Sequence, residues 1–260
     1  MKIITLLIVI SIVGGSALYA GDLQLPALDT EHTTQVACQL DLFQHDKIPF
    51  ESFATNKESA VQLLEYYAAH TNSITVKMKL PISRAFASLG QYEEAITLAE
   101  SYVNVYSNDW RGWRVVGGSK YMLKLYKEGF DDMLKAVQLG DEENRGALGA
   151  MALEMDRLDV FEHLVLPHLL LSINTIEKYP SSERVQIQSM LVFYAVKANK
   201  VDVFTKALRD LQASELTGHE DLKKLISVGC SKFKGPEVDK LCEKFSLGQS
   251  EAASGVSESK

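Results

Sequence analysis

Apolar residues recur at helical spacing along most of this 260-residue chain. From Lys57 to His70, the residues Val61, Leu63, Leu64, Tyr67 and Ala68 mark one helical face, with Asn56 as a candidate cap. A second helix is expected from about Asn72 to Ser88, but Pro81 inside it predicts a kink or a late start, because proline has no N–H to donate. Gly90 ends that helix, and the pattern then predicts helices over about 92–106, 110–124 and 127–139. Asn108-Asp109 caps the middle one, and Gly140 stands in the C-terminal position glycine favours. Further on, Pro167 predicts a bend or break, and Pro180 with Ser181-Ser182 marks another. Helices are expected over about 182–198, 201–212, 220–228 and 236–245. Residues 21–56 read as an irregular lead-in holding at most a short helix around Thr34 to Phe43. Residues 247–260 are serine-rich, lack aromatics and read as a disordered tail.

Between Pro81 and Glu143 one pattern is written nearly twice. Tyr92 and Tyr126 are thirty-four residues apart, as are Ala95 and Gly129, and Tyr102 and Ala136. That period, with Trp113, Val116-Gly117, Tyr126, Gly129, Met133, Ala136 and Leu139 in the second copy, resembles the tetratricopeptide repeat. The first copy keeps Gly90, Tyr92, Ala95 and Ala99 but has Ser83 at a small-residue position and no tryptophan. A third copy, from Ala147 and Ala150 onward, is degenerate, with His163 and Pro167 against the pattern. Asp159-Val160-Phe161 then recurs forty-three residues later as Asp202-Val203-Phe204. The resemblance covers residues 74–172 and implies an all-α, right-handed solenoid of antiparallel helical hairpins, completed here by a helical C-terminal cap. In it Ala95, Gly117, Gly129 and Ala136 let paired helices approach, Gly90 marks the turn of the first copy, and Trp113 with tyrosines such as Tyr92 and Tyr126 fills the space between pairs. The implied organisation is residues 57–172 as repeats and 173–246 as a degenerate continuation with its cap.

Composition changes this picture in three ways. With 46% hydrophobic and 23% charged residues the chain is an ordinary folded protein, and a net charge of −7 with no basic block argues against nucleic acid. Met1-Lys2, the apolar run Ile3–Val13 and the small-residue exit to Ala20 read as a signal peptide spanning 1–20, cut after Ala17 or Ala20. Left uncut, the same segment approaches the length of a membrane anchor and would make the chain a tethered spacer. Removing it takes away one base and no acid, moving the net charge from −7 to −8. Export to a periplasmic or extracellular space permits disulfides, and Cys230 and Cys242, near facing ends of two predicted helices, are the candidate pair, with Cys38 left over.

Candidate chemistry is sparse. His163 and His168 with Glu162 form the one close histidine pair, but a five-residue offset turns two helical side chains about 140° apart. A metal-dependent enzyme built on that region is the alternative from another class. Gly117-Gly118-Ser119-Lys120 lacks the strand and spacing of a phosphate loop. No cofactor is called for. The resemblance instead implies a binding scaffold whose inner face is lined by the first helix of each pair. Transferred to this sequence, those positions include Lys77, Arg84, Arg111, Arg114, Tyr121 and Arg145. Five are basic and none acidic, so the implied partner is a protein or peptide, acidic or ending in a free carboxylate.

Overall fold

The computed structural model describes residues 30–53, 56–209, 211 and 219–246, and the expectations for 1–20, 21–29 and 247–260 lie outside them. Every element among the described residues is helical. They fall into two compact units, divided between Leu148 and Gly149.

The first unit begins with α1 (Thr30–Gln44) and a 3-10 turn (Phe50–Ser52). It continues through α2 (Lys57–His70), α3 (Lys79–Ser88), α4 (Tyr92–Val103), α5 (Trp110–Met122) and α6 (Tyr126–Gln138) to the start of α7 (Arg145–Glu154). Local chemistry sets most of these ends. Asn56 and Ser59 form a reciprocal capping box at α2. The Asp109 side chain accepts from the Arg111 N–H at α5. Pro81 produces the late start, because it sits in the first turn of α3, where an N–H has no intrahelical partner.

One turn recurs. Gly90, Lys124, Asp156 and Asn199 all have left-handed backbones, with φ of 80°, 65°, 58° and 58°. After each, the next N–H (Gln91, Leu125, Arg157, Lys200) donates to the carbonyl five residues back (Phe86, Lys120, Ala152, Ala195) at 3.0, 3.0, 2.8 and 2.9 Å. The first two turns are thirty-four residues apart, and so are the ends of α3 and α5 and the starts of α4 and α6. Asp156 and Asn199 are forty-three apart, the offset at which the Asp-Val-Phe tripeptide repeats.

α5 and α6 meet backbone to backbone. A Cβ on Gly117 would lie 2.7 Å from the Met133 nitrogen and 2.9 Å from the Gly129 oxygen, and one on Gly129 would lie 2.8 Å from the Gly117 oxygen. Met133 and Ala136 close this contact with no solvent exposure. Two aromatic assignments are reversed relative to the sequence reading. Tyr126, expected inside, is 45% exposed because it opens α6 ahead of the crossing. Tyr121, expected on the surface, is buried, since the crossing lays α6 against its backbone and the Tyr126 ring stands 5.0 Å away.

The lead-in is more structured than its sequence suggested. Val36, Leu40 and Phe43 put one face of α1 into the core, where Phe50 and Phe53 join Leu63, Leu64, Leu80 and Ile82 in a single cluster. Their spacing, i, i+4, i+7, is a legible helical stripe.

The second unit runs from Gly149 through α8 (Leu158–Val160), a π-helical stretch (Phe161–Val165) and α9 (Leu166–Ile173). Pro167 lies in the first turn of α9, so the break expected there is made by a change of helical register, with the Leu166 N–H bonded to the Phe161 carbonyl. After α10 (Ser181–Ala198) and α11 (Val201–Arg209) come α12 (Glu220–Lys232) and α13 (Pro236–Ser246). The Phe161 and Tyr194 rings stack at 4.9 Å, and the Tyr194 hydroxyl donates to Glu162 at 2.6 Å. Phe204 packs on Phe233 and on Gly229, which leaves no room for a side chain. Cys230 and Cys242 are joined, with Cα atoms 5.9 Å apart, linking α12 to α13. Cys38 is free and exposed on α1. No described helix is long and apolar enough to cross a membrane.

Candidate interaction site

The basic positions singled out from sequence do come together in the first unit, but with their charge already matched. Lys77 Nζ pairs with Asp46 at 2.7 Å and donates to the Gln44 carbonyl at 3.0 Å. Arg84 donates to the Phe50 carbonyl at 3.2 Å, and its guanidinium lies 4.8 Å from the Phe50 ring centre. Arg114 lies 5.6 Å from the same ring and 4.7 Å from that of Trp110. Its ion-pair partners are Glu143 at 3.5 Å, Asp141 at 3.8 Å and Glu51 at 3.9 Å. Arg145 reaches Glu142 at 3.2 Å. The fully buried Phe50 is therefore flanked by Arg84 and Arg114, and the segment carrying it covers the face from which those arginines were expected to project.

Arg111 is committed in the same way. The Asp109 carboxylate takes 2.8 and 2.6 Å bonds from Arg111 Nε and Nη2, and a 2.5 Å bond from the Tyr102 hydroxyl. Burial alone would raise the Asp109 pKa. The bonds from Arg111 and Tyr102 outweigh it and hold the carboxyl below its ordinary range. Arg84 is pushed down from its ordinary value, first by burial and then by its neighbour Arg114. Asp141, fully buried, is pushed up by desolvation, against which both its oxygens accept 2.9 Å bonds from Asn144.

What stays open to solvent beside these pairs is a cleft of about 670 Å³, lined by Glu51 and residues 105–111. Its lining includes Tyr106, Trp110 and Val105, with Val105 60% exposed. The cleft exists because the turn between α4 and α5 is pinned from inside. Tyr102 holds Asp109, Trp113 Nε1 donates to the Ser107 carbonyl at 2.8 Å, and the Asp109 N–H donates to the Tyr106 carbonyl at 3.1 Å. Sequence reasoning reached Arg111 at this cleft but missed Val105 and Tyr106. Their signal was two bulky apolar residues in a turn that also carries Ser107, Asn108 and Asp109.

Ala95 and Ala136 are fully buried, Gly90 makes its turn, Tyr92 is partly buried, and Lys135 sits 3.8 Å over the Trp113 ring. His163 and His168 are exposed, and no group of three or more His, Cys, Asp or Glu side chains among the described residues could hold a metal. Comparison with protein-family models, characterised proteins and solved structures finds no match for this chain.

Proposed function

We propose that this chain is an exported, non-enzymatic interaction scaffold, a tetratricopeptide-like right-handed solenoid that holds a peptide or protein segment at the cleft beside the α4–α5 turn. The observation that carries the reading is that cleft, where Val105 and Tyr106 are held out in solvent by a turn fixed from beneath. Support for the repeat architecture comes from the thirty-four-residue recurrence of helix ends and left-handed turns and from the Gly117–Gly129 contact. Export rests on the leader-like pattern of residues 1–20, and the Cys230–Cys242 link agrees with an oxidising compartment.

The test is an array of diverse twelve-residue peptides probed with the full chain. Sequence-selective retention that falls with Val105→Ser and Tyr106→Ala supports the scaffold reading. Retention no greater than on scrambled controls overturns it.

A further inference from the structure

The scaffold reading leaves the chemistry of the partner open, and on that reading we infer that the cleft takes a cationic peptide segment, the opposite of what the basic positions in the sequence implied. Glu51, Asp109 and Arg111 are the charged residues lining the cleft, and Arg114, which pairs with Glu51, also faces Asp141 and Glu143 and adjoins Arg84. The carboxylates outnumber the guanidinium groups four to three, and the two most exposed charges among them are carboxylates. The Arg114 and Arg111 side chains are 12% and 27% exposed, whereas Glu51 and Glu143 are 48% and 77% exposed. An approaching charge therefore meets carboxylate before guanidinium.

Arg111 turns its Nε–Nη2 edge to Asp109, which engages it bidentately and offsets its charge toward an acidic ligand. A second anion taking that same edge would have to displace Asp109, which also caps α5. A lysine or arginine side chain meets no such obstacle. It can approach Glu51 while its charged head lies near the electron-rich faces of Tyr106 and Trp110, an attraction available only to a cation. Arg114 already occupies one face of Trp110 in this way. An apolar neighbour in the ligand would rest on Val105. The chain's own stretches 21–29 and 247–260 do not complement the cleft, since the first carries Asp22 and Asp29 without a base and the second carries Glu251 and Glu258 against Lys260.

The experiment uses three fluorescein-labelled twelve-residue peptides of one design, with leucine and glycine positions kept and the variable positions filled by Lys, Glu or Ser. Anisotropy titrations with the full chain are run at low and high salt. The expected result is tightest binding of the Lys peptide, at least about 10-fold over the Glu peptide, weakening as salt screens the carboxylates. Tyr106→Ala and Glu143→Lys are each expected to weaken Lys-peptide binding by about 5-fold, in line with exposed cation–π and ion-pair contributions. Glu143 is exposed enough that its reversal leaves the fold intact, which far-UV circular dichroism checks. Equal or tighter binding of the Glu or Ser peptide overturns the inference and leaves the scaffold reading standing. Lys-peptide binding that ignores both substitutions also overturns it. If no peptide of the array or of this set is retained, the scaffold reading itself fails.

Discussion

Alanine at Gly117 or Gly129 sets two physical effects of opposite sign against each other. In an exposed helix, glycine to alanine is worth about 1 kcal/mol in favour of alanine, from propensity alone. Here the added Cβ meets backbone at 2.7–2.9 Å from either side, and backbone cannot rotate away as a side chain can. Restoring ordinary contact requires α5 and α6 to separate by about 0.5 Å, which forfeits a quarter or more of the dispersion attraction across the interface. Overpacking of this kind costs about 1–3 kcal/mol, more when rigid backbone is the obstacle. The net expectation is destabilisation of about 1–2 kcal/mol for each single variant. The double variant should cost less than the sum, because one separation accommodates both methyl groups. Urea unfolding followed by tryptophan fluorescence reads this directly, since both tryptophans, Trp110 and Trp113, lie on α5. Asp131→Ala, on the exposed side of α6, is the control and should stabilise by a few tenths of a kcal/mol. If Gly117→Ala or Gly129→Ala stabilises as much as propensity alone, the close crossing does not exist.

Phe50→Ala removes a fully buried ring from between two guanidinium groups and should cost about 3–5 kcal/mol in the same assay; a loss below 1 kcal/mol would show that Phe50 is peripheral. Glu65 is buried with one carboxylate oxygen unpartnered, and desolvation raises its pKa, partly offset by His32. Because the folded-state pKa is the higher one, the penalty is absent below the unfolded value and grows as pH rises through the folded value. Glu65→Leu should therefore stabilise at pH 7, by no more than about 1 kcal/mol, and less at pH 4; a larger gain at pH 4 would reverse the assignment. Cys230→Ser with Cys242→Ser should lower the stability of the second unit by about 3 kcal/mol, read by far-UV circular dichroism, and reductant should have no effect on that double variant.

Features set by neighbours in sequence were legible before the structure. Asn56 and Asp109 as caps, Gly90 as a turn, and the effects of Pro81 and Pro167 all depend on residues within one or two helical turns. What was not legible depends on distant partners. Phe50 finds Arg84 across thirty-four residues and Asp46 finds Lys77 across thirty-one, so no local pattern announced those two pairings, whereas Arg111 and Arg145 pair with Asp109 and Glu142 within three residues. Tyr121 and Tyr126 exchanged roles because the glycine contact, not the order of aromatic residues, decides which ring is roofed over. The cleft went unnoticed because Val105 and Tyr106 read as ordinary helix-end residues until the turn around them was pinned by Tyr102 and Trp113.

Hydrogen exchange of the full chain with and without the Lys-containing peptide, resolved to short segments, tests the location and polarity of binding together. Slower exchange is expected across residues 104–111 and around Glu51, with no change when the Glu-containing peptide is added. Protection confined to α10–α13, or produced equally by the acidic peptide, would contradict the assignment of this cleft as the binding site.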